Sequence, residues 1–175
     1  MLVVATVPVW TQDSTSLRER MLLIEDARSR QAEDLETLQR GLADRDPQIR
    51  RQAARAIGRL ERPELIASLT RALADQHPDV RMEAANAVGQ LSRGPKGIAD
   101  GKARLLARAR AESDPRVWGV VAATLGRLQY ATATDVDQVE AVIARVLPGA
   151  NASSIQIDAV LGAVEGLEAL ARQTA

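Results

Sequence analysis

The string Asp46-Pro47-Gln48-Ile49-Arg50-Arg51-Gln52-Ala53-Ala54-Arg55-Ala56-Ile57-Gly58-Arg59-Leu60 returns as His77-Pro78-Asp79-Val80-Arg81-Met82-Glu83-Ala84-Ala85-Asn86-Ala87-Val88-Gly89-Gln90-Leu91, with Pro47 and Pro78 separated by 31 residues. A third copy runs from Asp114-Pro115 to Leu128 with the same internal spacing, 37 residues beyond Pro78, and a degenerate fourth begins near Ser153 and Ile155. A recurrence of this length marks one supersecondary unit that cannot bury its apolar surface alone and must stack on its neighbours. It restricts the chain to a repeat array.

The positions within the string specify what the unit is made of. Asp46 and Asp114 suit a helix N-cap, where a carboxylate accepts from free backbone amides, and the proline that follows starts a helix at no cost in lost N–H groups. Ile49, Ala53, Ala56, Ile57 and Leu60 fall at helical spacing on one face, and the alanine pair with a late glycine lets a second helix come close. Ahead of each copy lies another amphipathic stretch, at Glu33 to Ala43, Pro63 to Ala74 and Lys102 to Ala111; a further pair is expected at Asp135 to Val146 and Ser154 to Gln173. Each unit therefore reads as a helical hairpin. The longer interval is taken up by Ser92 to Gly101, whose Gly94-Pro95 and Gly97 read as a turn that loops out or shifts the superhelix and as a hinge candidate.

The copies at 46 to 60 and 77 to 91 resemble the second helix of a HEAT repeat. The resemblance implies an all-α, right-handed α-solenoid of about four hairpins with an extra N-terminal helix, related to armadillo-like folds. It divides the chain into an arm at 1–15, an N-terminal helix at 16–31, and repeats at about 33–60, 63–91, 101–130 and 134–174. It also implies a polar ladder through Asp46, Arg50, Arg81 and Asp114, broken where Trp118 stands in the arginine place. A looser likeness of the 22–28 and 58–65 tracts is to HEAT arrays that precede a cyclophilin-type prolyl isomerase domain in some bacterial proteins. The isomerase barrel is not among these residues, so no catalytic residue follows from that likeness.

Composition agrees with close helix packing: 46% of residues are apolar, yet there is no Phe, one Tyr and two Trp, so Ala, Leu, Val and Ile build the core. The 23 basic and 23 acidic residues cancel, giving no overall pull toward nucleic acid or an anionic membrane. Without Cys there is neither a disulfide nor a thiolate metal site. The apolar stretch Met1 to Trp10 lacks a basic start and reads as a flexible arm or a signal remnant, leaving a cytoplasmic or an extracytoplasmic location open. No run approaches the roughly 20 apolar residues of a membrane span.

No catalytic, cofactor or metal site is expected. His77 has no ligand cluster around it and reads as an N-cap substitute, and the pairs Glu25/Asp26 and Asp135/Asp137 read as solvated charges at helix ends. The informative side chains are for partners. Arg51, Arg55 and Arg59, with Arg50 nearby, form a basic ridge opposite the apolar face, which either lines a concave groove and meets a partner or is a solvated face paired with helices of neighbouring units. The second copy carries Met82, Asn86 and Gln90 there, so the ridge does not continue. In the third copy Val117 to Leu125 is apolar nearly all round, which makes Trp118, Val120 and Thr124 either an anchor patch for a partner helix or a surface covered by the insertion or the N-terminal helix. The last helix is also strongly apolar through Ile155, Ile157, Val160, Leu161, Val164, Leu167 and Leu170, as if the array continued or another subunit closed it. The expected function is a non-catalytic protein- or peptide-binding scaffold. Nucleic-acid binding through the arginine ridge, or service as the accessory array of a prolyl isomerase, are the alternatives. No small-molecule substrate is expected.

Overall fold

The computed structural model describes residues 10–145 and 154–174, with side chains described at 17–145 and 157–173. Residues 1–9 of the arm or signal remnant expected at 1–15, and Ser153 at the start of the fourth copy, lie outside them; from Trp10 onward that arm is already helical, ahead of the start expected at 16. Among the described residues there is no strand. The helices are α1 (Trp10–Ala27), α2 (Ala32–Leu42), α3 (Pro47–Arg59), α4 (Pro78–Leu91), α5 (Gly94–Ala111), α6 (Pro115–Arg127), α7 (Ala133–Ile143) and α8 (Ser154–Thr174), with 3-10 segments at Pro63–Leu69 and Ala72–Ala74 between α3 and α4.

Packing partners sort these elements into two layers. One layer, termed inner, runs α1, α3, α4, α6, α8, each helix against the next; the other, termed outer, runs α2, the 3-10 segments, α5 and α7, each backing its hairpin mate. The core between them is made of buried Leu, Ile, Val and Ala, among them Leu38, Ile57, Ile66, Val88, Leu105 and Ile143. The three recognisable second helices start as their sequences require. The Asp46 carboxylate accepts from the Gln48 amide at 2.8 Å and Asp114 from the Arg116 amide at 2.9 Å. His77 holds the corresponding N-cap place without a side-chain cap bond, and its own amide donates to Asp75 Oδ1 at 2.9 Å.

The outer layer departs from expectation twice. Pro63 to Ala74 forms 3-10 turns instead of an amphipathic α-helix. Its Ser68 hydroxyl donates to the Leu65 carbonyl at 2.7 Å and Thr70 to Ala67 at 2.8 Å, a local route that competes with the α-helical ladder. The insertion is likewise helical: α5 starts at Gly94, whose φ of 67° turns the chain in, and continues unbroken for 18 residues. Gly97 and Gly101, read as parts of a hinge, are packing sites, whereas Gly94 faces open space. A Cβ on Gly101 would sit 1.9 Å from Ser92 Oγ, and one on Gly97 would sit 3.1 Å from Pro63 Cβ. Tight tertiary contact offsets the roughly 1 kcal/mol per glycine that an isolated helix would lose.

The inner layer shares one device. Glycines at equivalent places, Gly58, Gly89 and Gly126, each face the following inner helix. A Cβ there would lie 2.8 Å from Ala87 Cα, 2.5 Å from Thr124 Cγ2 and 2.1 Å from the Gly166 carbonyl oxygen, respectively. The α6–α8 contact is the closest, because Gly119 and Gly126 meet Gly162 and Gly166 backbone to backbone. This contact accounts for one side of the all-round apolar character of α6, and α4 and α5 pack on others.

A polar ladder ties successive units, with other acids than the resemblance implied. Arg50 donates through Nε and Nη2 to Asp75 at 2.7 and 2.8 Å, and through Nη1 to the carbonyls of Asp44 and Arg45. One unit on, Arg81 grips Glu112 with both bonds at 2.9 Å and reaches the carbonyls of Asp75 and Gln76. Asp46 and Asp114 instead cap their helices and pair with Arg18 at 2.5 Å and Arg116 at 3.0 Å. The ladder acids stand two residues before each N-cap, where they reach both the arginine of the preceding unit and the amide of their own.

Candidate functional site

The exposed side of the inner layer is where the fold gathers polar side chains that the core does not use. On α3, Arg51, Arg55 and Arg59 point outward, with side chains 49, 44 and 58% exposed. They do not stand as a bare cationic stripe. Glu25 of α1, itself 9% exposed, holds Arg55 at 3.1 Å and Arg59 at 3.4 Å, while Glu83 of α4 lies 3.6 Å from Arg51. Arg50, expected beside them, is turned into the ladder and buried. Alongside, the Gln52 amide donates to the Arg18 carbonyl at 3.0 Å, fixing α1 against α3.

Two clefts run together along this face. The first, about 340 Å³, opens between α1, α3 and α4 and is lined by Arg18, Leu22, Gln48, Arg51, Gln52, Arg55 and Glu83. The second, about 360 Å³, lies between α4 and α6 and includes Glu83, Asn86, Gln90 and Arg127. Glu83 lines both, so the clefts adjoin at its carboxylate in a trough whose lining is mostly guanidinium, carboxylate and carboxamide groups, with Leu22 at one end and Thr124 and Leu128 at the other. Such a lining offers hydrogen-bond donors and acceptors to a polar main chain more readily than it offers an unbroken cation track to phosphates.

Of the third-copy residues singled out in the sequence, Thr124 lines the second cleft beside Arg127 and Leu128, while Trp118 and Val120 are not among its lining. Trp118 is 9% exposed, and its indole N–H donates to the Ala109 carbonyl at 3.1 Å, so it takes over a backbone-clamping bond of the arginine it replaces and fills core volume. Thr124 is 2% exposed beneath Gly89 and accepts from Arg127 at 3.2 Å. Val120 is half-buried and packs on the core. Trp118 and Val120 thus contribute packing, while Thr124 packs under Gly89 and also lines the cleft. Several elements cover this apolar helix: Trp118 reaches Ala109 of α5, Thr124 lies under Gly89 of α4, and Gly119, Ala122 and Gly126 meet α8.

The ladder supplies the strongest electrostatics. Burial works to raise the Asp75 and Glu112 carboxyls, but the bonds from Arg50 and Arg81, with the amides of His77 and Asp114, outweigh it and hold both below their usual range. The Asp75 bond in turn holds the Arg50 guanidinium above its ordinary value. Arg108 Nε approaches the same Glu112 carboxylate at 3.2 Å without hydrogen-bond alignment. Tyr130 is raised by burial, its hydroxyl donating to the Leu125 carbonyl at 2.7 Å. Each of these groups is engaged with protein and serves structure. Among the described residues, no group of His, Asp or Glu is arranged to hold a metal ion, and no helix is long and apolar enough to cross a membrane.

A family model described as HEAT repeats matches residues 35–126, from α2 to the end of α6. No curated protein matches the chain.

Proposed function

Because the chain belongs to the HEAT-repeat family, we propose that it is a non-catalytic scaffold that binds a protein or peptide along the trough on its inner layer. HEAT repeats generally mediate protein interactions, which makes this class the starting point. The observation that carries the reading is the shared floor of the two clefts. Arg51, Arg55 and Arg59 stay about half exposed while anchored by Glu25 and Glu83, so they are pre-oriented at low entropic cost to a ligand. The neighbouring Gln52, Asn86 and Gln90 add neutral donors and acceptors.

Nucleic acid is the less favoured ligand on the same observation. Binding driven by phosphate contacts needs cations free to release counterions, whereas here two arginines share one carboxylate and a third faces another. The test is a photo-crosslinking amino acid at Gln52 in the trough, compared with one at Ala103 on the outer layer, in lysate of the source cells. A nuclease-resistant protein adduct formed at Gln52, absent at Ala103 and lost with Arg51→Glu plus Arg55→Glu, supports the scaffold. Nuclease-sensitive adducts at Gln52 would replace it with the nucleic-acid reading.

A further inference from the structure

We propose that the outer edge of α8 is a second, independent docking surface for a basic amphipathic helix of another protein. Ile157, Leu161 and Val164 are 52, 55 and 50% exposed on this helix, at the alternating four- and three-residue spacing of a helix–helix seam. Their place in the repeat shows what they face. Ala87, Thr124 and Gly166 receive the glycines of the preceding inner helices, and two residues after the receiver comes the glycine that approaches the next helix, Gly89 in α4 and Gly126 in α6. In α8 the residue two beyond Gly166 is Glu168. By the same count Leu161 and Val164 stand where α6 has Gly119 and Ala122. The exposed stripe is therefore the stacking edge of the inner layer, continuous with the interfaces already described.

That edge has changed chemistry. A joint of the α6–α8 kind, backbone to backbone, would need Gly and Ala there, and branched side chains with a carboxylate hold so close an approach off. What fits is a helix at ordinary side-chain separation, with large apolar residues at matching spacing. Charge narrows the partner. Asp158, Glu165 and Glu168 border the stripe, and the opposing charges are Arg172, paired with Glu168 at 2.7 Å, and Arg116, already bound to Asp114 and reaching Asp158 only through its field. A second copy pairing α8 on α8 would set Glu165 near the partner's acidic border. The described side chains at the other end of the layer, on α1, expose Leu22 and Leu23 among Glu19, Arg20 and Asp26, a border of mixed charge that does not complement an acidic edge. Lysine or arginine flanking the incoming seam satisfies both features.

The probe is a fluorescent synthetic helix of about three heptads with Leu and Ile at the seam and Lys at the flanks, beside a twin with Glu at the flanks. Anisotropy should show the Lys-flanked peptide bound by the whole chain, weakened about tenfold or more by Leu161→Asp. Glu165→Lys with Glu168→Lys should shift preference to the Glu-flanked twin. Arg51→Glu with Arg55→Glu, in the trough, should leave binding unchanged, which separates this surface from the one proposed above. Leu161 is half exposed, so the variant keeps its melting temperature; Ile157→Asp serves as a second reading. Equal binding of the two peptides, indifference to Leu161→Asp and Ile157→Asp, or a dimer in sedimentation that Leu161→Asp abolishes would each overturn the proposal.

Discussion

Asp75 and Glu112 each bond two units at once: a guanidinium from the unit before and a backbone amide at the head of their own. Removing such a carboxylate strands a buried arginine, so Asp75→Asn or Glu112→Gln should cost about 3 kcal/mol in urea unfolding at pH 7. The pH dependence has a definite sign. Both carboxyls are held below their unfolded values of about 4, so the stabilisation is complete above about pH 5 and disappears as acid protonates them in the folded state. The gap between wild type and Glu112→Gln should be constant from pH 6 to 8 and close on titration below about pH 4; a gap unchanged at pH 3 would contradict the assignment. Trp118→Ala belongs at the same scale. It empties core volume beside Ala109 and should destabilise by about 3 kcal/mol or more, while crosslinking at Gln52 persists wherever the variant remains folded.

At the scale of elements, the inner helices were legible and the outer layer was not. Asp-Pro starts, paired alanines and a glycine two residues before the closing Leu are local signals with local causes, so α3, α4 and α6 start where the pattern places them. The 3-10 turns depend on Ser68 and Thr70 choosing nearby carbonyls, and the length of α5 depends on what Gly97 and Gly101 meet across the core; neither is encoded in periodicity. The ladder acids were missed because they precede the motif, although Asp44, Asp75 and Glu112 recur at its own 31- and 37-residue intervals. The arginine ridge was read correctly as an outward face of α3, but its partners Glu25 and Glu83 lie on other helices. The α6–α8 contact gives the element-scale prediction. Gly126→Ala forces its methyl onto the Gly166 carbonyl, at a cost of about 1–3 kcal/mol. Hydrogen exchange should rise about tenfold or more in α8 and stay unchanged in α3 and α4.

For the whole molecule, stability in such an array is close to a sum of units and nearest-neighbour contacts. The half-exposed pairs add little to that sum: Arg51→Gln, which removes a guanidinium 3.6 Å from Glu83, should lower stability by no more than about 1 kcal/mol. The two-residue lead of the ladder acids has a further consequence, for how a chain like this can change length. Excision of residues 46–76 would join Arg45 to His77, leaving Asp44 two places before that histidine, as Asp75 is now, with Arg81 still opposite Glu112. Every cut at that period restores the joint it severs. Tandem duplication or loss of a segment in the gene would thus lengthen or shorten the array without any compensating substitution along the ladder, and the shortened protein should still melt in one transition.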